Sequence, residues 1–211
     1  MAYLSQAEPS FMIPGPVGNI EAVLTQPQTV SASKKAIAIV CHPHPLFGGT
    51  MTNKVVTTLV RVMTDIGLPA LRFNFRGVGK SEGTFAEGVG EVADLLAVIA
   101  WLNNQYPEHK IWLAGFSFGA AVCATAATQT PVAQLITVAP PVPRFNLLNL
   151  PEVTCPWVVV QGDHDDVVNP QDVFAWVLTR KPQPVLIKMA EAGHFFHGRL
   201  LELRELLENV L

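Results

Sequence analysis

The chain has 211 residues, of which 49% are apolar and only 15% are charged, and its formal net charge is -3. This composition excludes a disordered chain, and the lack of any basic block argues against a nucleic-acid partner. The length favours a single domain over residues 1–211.

The N-terminal segment and the cysteines indicate the compartment. Residues 1–16 have no basic start and no long apolar run, so we expect no signal peptide. No window approaches the roughly 18 uninterrupted apolar residues of a membrane span. Three widely spaced cysteines (Cys41, Cys123 and Cys155) favour neither a disulfide framework nor a CxxC metal site. We therefore expect a cytoplasmic protein without a membrane partner.

Apolar, β-branched runs alternate with helical patterns along the chain. The segment 15–31 is compatible with one or two antiparallel edge strands, and 139–156 is a proline-rich loop with at most one helical turn. Strands are predicted at 35–42, 69–75, 110–116, 134–140, 156–162 and 184–190, and helices around 56–63, 92–99, 117–128, from Pro170 onwards and 203–210. This alternation predicts an α/β fold with a mostly parallel central sheet flanked by helices on both faces.

A glycine-flanked serine lies between the third predicted strand and its helix. The pentapeptide Gly115-Phe116-Ser117-Phe118-Gly119 matches G-x-S-x-G in the strand–turn–helix context that this motif requires. Such a turn holds the serine in a strained backbone conformation with its hydroxyl above the sheet. The alternative is a chance Gly-Ser turn, and the context favours a nucleophile.

A serine nucleophile needs a base, and the base needs an acid that orients it. Three acids, Asp163, Asp165 and Asp166, follow the strand at 156–162, and one of them is also a candidate cap for the next helix. Two histidines, His194 and His197, follow the last predicted strand. The order Ser, Asp, His is typical of hydrolases built on an α/β sheet.

Five segments together resemble the α/β-hydrolase superfamily, specifically its small, cap-less bacterial serine hydrolase and esterase group. They are HPHPLFGGTMTNK, RFNFRGVGKSEG, GFSFG, QGDHDDVV and GHFFHG, and the resemblance covers nearly the whole chain. The family register of the acid turn selects Asp165, and that of the histidine loop selects His194. His197 is then expected at the start of the last helix.

The resemblance implies a mechanism. Ser117 would attack a carbonyl carbon, His194 would take the serine proton, and Asp165 would orient the imidazole. The backbone N–H of Phe118 would hold the oxyanion together with one from the loop after Cys41. Because two prolines in that loop lack an N–H, the second donor would be His44, with Leu46 as the alternative.

The same resemblance implies a small-molecule ester substrate with a short acyl chain and no metal or organic cofactor. Residues 140–155 are too few for a cap domain, so we expect an open, shallow site. A thioesterase or a small-peptide or amide hydrolase would use the same triad. A binding protein that keeps the hydrolase fold without turnover is the alternative from a different class.

Other motifs allow other interpretations. Gly77–Ser81 (GVGKS) resembles the end of a phosphate-binding loop, but the position that needs a further glycine is Asn74. His42 and His44 with Asp163 suggest a metal site that lacks a third ligand at metal spacing, and His42 is better explained as a cap of its strand. Phe118, Phe195 and Phe196 are candidates for an acyl pocket or for the core.

Overall fold

The computed structural model describes residues 8–31 and 35–211. Residues 1–16, from which we predicted that there is no signal peptide, therefore lie partly outside the described residues. The strands are β1 (Phe11–Gly15), β2 (Gly18–Thr25), β3 (Ala36–Cys41), β4 (Ala70–Phe73), β5 (Lys110–Phe116), β6 (Gln134–Val138), β7 (Trp157–Gly162) and β8 (Val185–Met189). The helices are α1 (Lys54–Asp65), α2 (Val89–Gln105), α3 (Phe118–Ala127), α4 (Pro170–Thr179) and α5 (Leu200–Val210), with 3-10 turns at Pro45–Phe47 and Leu147–Asn149.

The eight strands form one sheet in the order β1-β2-β4-β3-β5-β6-β7-β8. The pairs β1–β2 and β2–β4 are antiparallel, and all the other pairs are parallel. The predicted mostly parallel sheet is thus confirmed. β3 is buried along its whole length because it lies inside the sheet with helices on both faces.

Helices cover both faces of the sheet, as predicted. The apolar residues of α2, α3 and α4 form one core cluster with the first face, and those of α1 and α5 form a second cluster with the opposite face. Asn53 caps the start of α1 through its side chain, which accepts a hydrogen bond from the Val55 N–H, and the helix ends before Gly67, which has a φ of 86°. Across the described chain, every helix falls short of the length and apolarity that a bilayer crossing requires.

Three boundaries differ from the sequence predictions. The first edge strand, β1, lies almost wholly before the segment 15–31 in which edge strands were predicted. It contains Pro14, which an edge strand tolerates because one side of the strand forms no hydrogen bonds to a neighbouring strand. The cap of α4 is Asn169, not one of the acids. α5 begins at Leu200, so His197 does not start it as predicted.

Candidate active site

Ser117 occupies the sharp turn between β5 and α3. Its φ of 53° and ψ of -117° lie in a region that L-residues rarely adopt, which is the strain predicted from the motif. The Ser117 N–H donates to the Val138 carbonyl of β6 at 2.8 Å, and this bond anchors the turn to the neighbouring strand. At Gly119 a Cβ atom would meet the carbonyl oxygens of Cys41 and His42 at 2.5 and 2.6 Å, so only glycine lets α3 pass this close to β3.

A continuous hydrogen-bond chain joins the three predicted site residues. His194 Nε2 lies 3.1 Å from Ser117 Oγ, and His194 Nδ1 lies 2.8 Å from Asp165 Oδ2. The parallel sheet explains this meeting, because Ser117, Asp165 and His194 all follow the carboxyl ends of strands β5, β7 and β8. With Nδ1 protonated towards the carboxylate, Nε2 is free to accept the serine hydroxyl proton.

The Asp165 carboxylate is buried and well supplied with donors. Oδ1 accepts the backbone N–H groups of Val167 and Val168 at 2.9 and 2.7 Å, and Oδ2 accepts from the Gln161 side chain at 3.0 Å. Burial raises the pKa of Asp165, but the hydrogen bonds from His194 and from these backbone groups outweigh it, so the pKa lies below its ordinary value. Asp165 is therefore ionised and fixed beside the imidazole. Sequence reasoning missed Gln161, whose only signal was its place at the end of β7.

The competing acids and the competing histidine lie elsewhere. Asp163 accepts the Glu191 N–H at 2.6 Å and closes a surface turn, and Asp166 is exposed. His197 is exposed and stacks on the Phe195 ring. Geometry thus leaves Asp165 and His194 as the pair that faces Ser117.

Two backbone N–H groups, those of Phe118 and His44, are the predicted donors of an oxyanion site. Within residues 8–31 and 35–211, neither the Phe118 N–H nor the His44 N–H has a hydrogen-bond acceptor. The alternative donor, the Leu46 N–H, already donates a hydrogen bond to His44 Nδ1 at 3.2 Å. The sequence analysis named the N–H groups of His44 and Leu46 as alternatives for the second donor. Of these two, the His44 N–H is the one without an acceptor in the described residues.

His42 and the glycine-rich loop have structural roles. His42 Nδ1 lies 2.6 Å from the Pro43 carbonyl and Nε2 accepts the Phe75 N–H at 3.1 Å, so both ring nitrogens are engaged and neither can ligate a metal. Ser81 Oγ bridges the Asn74 carbonyl and the Glu21 N–H. Because the Glu21 carboxylate accepts the Lys80 N–H of the GVGKS segment, a phosphate there would be repelled, which argues against the phosphate-loop interpretation.

Ser117 opens into a cavity of about 330 Å³. Its lining is mainly apolar and includes Phe118, Phe145 and Phe195, whereas Phe196 is fully buried in the core. The loop 139–156 forms one wall of the cavity through Pro141, Arg144 and Phe145. The sequence predicted an open, shallow site, and this wall gives the site a defined side. A second cavity of about 450 Å³ between α2 and α3 shares only Phe145 with the first.

Comparisons with known proteins agree with this architecture. The family model of the X-Pro dipeptidyl-peptidase (S15) family matches residues 18–150, a segment that includes Ser117 but ends before Asp165 and His194. An uncharacterized protein of Rickettsia prowazekii is 35% identical over 96% of this chain and 88% of its own length.

Two solved structures are similar over nearly the whole chain. An alpha-beta serine hydrolase homologue from Coxiella burnetii is 50% identical with a TM-score of 0.93, and covers 100% of both chains. An α/β serine hydrolase without a lid from Xanthomonas campestris is 41% identical with a TM-score of 0.91, and covers 99% of this chain and 95% of its own. The predicted absence of a cap is thereby confirmed. The chain belongs to the X-Pro dipeptidyl-peptidase (S15) family and to the α/β serine hydrolases without a lid.

Proposed function

We propose that this protein hydrolyses small carboxylic esters with short acyl chains through an acyl-enzyme. The observation that carries the proposal is the unbroken hydrogen-bond chain from Asp165 through His194 to Ser117, with Ser117 facing an apolar cavity. His194 takes the Ser117 proton as Oγ bonds to the ester carbonyl carbon, and the N–H groups of Phe118 and His44 bind the oxyanion.

The tetrahedral intermediate then collapses. The bond from the carbonyl carbon to the alcohol oxygen breaks, and the proton on His194 Nε2 passes to the leaving alcohol. Water attacks the acyl-enzyme with His194 again as the base, and Ser117 regains its proton as the carboxylic acid leaves. Asp165 stays ionised throughout and stabilises the imidazolium, which its lowered pKa favours.

A fluorophosphonate tests the nucleophile directly. Intact-mass analysis should find one adduct on the wild type and none on Ser117→Ala, while Ser10→Ala, which removes an exposed hydroxyl before β1, should keep the adduct. We expect Ser117→Ala to lower kcat for a 4-nitrophenyl ester by about 10⁶-fold. An unlabelled wild type would instead favour a binding protein that keeps the hydrolase fold.

Amide cleavage is the second candidate, because the family model is that of a dipeptidyl-peptidase. A peptide that loses its N-terminal dipeptide presents an ammonium group, which needs a carboxylate partner. Of the residues that the structure describes, those lining the Ser117 cavity include Arg144 and no Asp or Glu. This charge favours an ester over such a peptide, and an X-Pro 4-nitroanilide assayed beside the 4-nitrophenyl ester would discriminate the two.

A further inference from the structure

Among the described residues that line the Ser117 cavity, Arg144 is the one with a permanent charge. Its side chain is exposed, and its guanidinium has no hydrogen-bond or ion-pair partner within the described parts of the chain, 8–31 and 35–211. The protein as a whole carries a net charge of -3, so this cation is not part of a generally basic surface. An unpaired guanidinium beside a reactive serine has the chemistry to bind an anionic group.

Hydrogen bonds hold the backbone around Arg144, whereas its side chain is exposed. The Arg144 N–H donates to the Pro141 carbonyl at 2.8 Å, and the Arg144 carbonyl accepts the Leu147 N–H at 3.3 Å. Phe145 and Asn146 follow with φ values of 53° and 58°, a conformation that turns the chain sharply. The loop therefore holds the arginine at the cavity wall and leaves its donors unused.

Two carboxylates near the cavity already have hydrogen-bond donors. Glu91 is buried and accepts the backbone N–H groups of Ala86 and Gly88 at 2.9 and 2.8 Å, and Asp165 lies behind the His194 ring. The charge of Arg144 reaches the cavity: burial lowers the pKa of His44, Glu91 opposes this, and Arg144 lowers the pKa further. Arg144 thus adds a positive potential to a cavity wall that is otherwise mainly apolar.

We propose that Arg144 is a specificity-determining residue that binds a carboxylate of the substrate, so that the preferred substrates are esters bearing both an apolar body and a carboxylate group. This inference rests on the proposed esterase activity. The planar guanidinium matches a carboxylate in two parallel hydrogen bonds, which a neutral ester cannot offer. The phenylalanines of the cavity would contact the apolar part of the same substrate.

The test compares matched esters with and without a carboxylate. On the acyl side, mono(4-nitrophenyl) adipate is compared with 4-nitrophenyl hexanoate, and on the alcohol side, 3-carboxy-4-nitrophenyl butyrate is compared with 4-nitrophenyl butyrate. The readout is the kcat/KM ratio of each charged ester to its neutral partner, measured in wild type and variants. Comparing that ratio between proteins cancels the intrinsic reactivity of the two esters, and Ser117→Ala supplies the uncatalysed rate.

We expect Arg144→Gln to lower the ratio for at least one pair by about fivefold, the upper range for an ion pair that stays exposed. Arg144→Lys should lower it less, because the charge remains and the fork is lost. The matched control is Lys110→Gln, which removes the same charge from the opposite end of the strand that leads to Ser117. The wild-type ratio should also fall towards the Arg144→Gln value in about 1 M NaCl, where the screening length is about 3 Å.

The outcomes separate this inference from the function on which it rests. If neutral esters are hydrolysed but Arg144→Gln leaves both kcat/KM ratios unchanged, the proposed role of Arg144 is wrong. The proposed esterase activity would still stand. An equal fall of the ratio in Lys110→Gln would also overturn it, because the effect would then be one of net charge. A wild type that forms no fluorophosphonate adduct and cleaves none of the esters would overturn both.

Discussion

His42 should make the protein lose stability as the pH falls from 7 to 5. The imidazole is fully buried, and its two nitrogens are engaged as one donor and one acceptor, so only the neutral ring fits between the Pro43 carbonyl and the Phe75 N–H. Burial, opposed in part by the Pro43 carbonyl, lowers the pKa of His42 to about 4. Protonation would place two N–H groups, those of Nε2 and Phe75, against each other.

The magnitude follows from proton linkage. A histidine in the unfolded chain has a pKa of about 6.5, so between that value and about 4 the unfolded chain binds a proton that the folded protein does not. Stability therefore falls as the pH decreases, at a limiting slope of about 1.4 kcal/mol per pH unit. Between pH 7 and pH 5 the loss from His42 alone amounts to about 2 kcal/mol.

Urea unfolding followed by tryptophan fluorescence at pH 7, 6 and 5 measures this loss. His42→Gln removes the titrating group, so its free energy of unfolding should be lower at pH 7 but should depend less on pH than that of wild type. His164→Gln, at a side chain that is 67% exposed, is the matched control and should keep the wild-type pH dependence. Equal pH slopes for wild type and His42→Gln would refute the assignment of a buried neutral imidazole.

Three further variants test the elbow, the acid and the cavity wall. Gly119→Ala should lower stability by about 1–3 kcal/mol in thermal unfolding, because the added methyl group meets the carbonyl oxygens of Cys41 and His42; an unchanged Tm would contradict this packing. Asp165→Asn should lower kcat by about 10⁴-fold with the fold retained by circular dichroism, since the imidazole loses its orienting anion. Phe145→Ala should raise kcat/KM for a 4-nitrophenyl octanoate about tenfold relative to the hexanoate by joining the two cavities, as each buried methylene contributes about 0.8 kcal/mol. An unaltered chain-length profile would mean that the cavities stay separate.

The parts of the fold that the sequence predicts are those with strong local patterns. β5 is predicted residue for residue, because a mainly apolar run at 110–116 is followed directly by the glycine-flanked serine. Each of the other predicted strands deviates by at most two residues at either end. β1 is misplaced because Pro14 and the glycines around it indicate a turn, and only pairing with β2 makes an edge strand of this segment.

The contacts between distant residues are predicted less well. The strand-end rule brings an acid and a histidine towards Ser117, but it does not choose among three neighbouring aspartates; the choice of Asp165 depends on the family resemblance. Gln161 was missed, because nothing local distinguishes an amide that orients a carboxylate from any polar residue at the end of a strand. Arg144 and Phe145 were missed because loop 139–156 has no periodicity from which the direction of a side chain can be inferred.

The residues that the sequence predicts well lie at strand ends, and those that it misses lie mainly on the loop after β6. The proposed reacting groups stand at strand ends, where the register of the sheet and the close approach at Gly119 fix the backbone that carries them. The residues proposed to choose the substrate, Arg144 and Phe145, stand on a loop whose side chains make few polar bonds with the scaffold. Substitutions in that loop should therefore change which ester is cleaved while the spacing of Ser117, His194 and Asp165 persists. In a fold without a lid, the loop after β6 is where selectivity can vary without disturbing the hydrogen-bond chain.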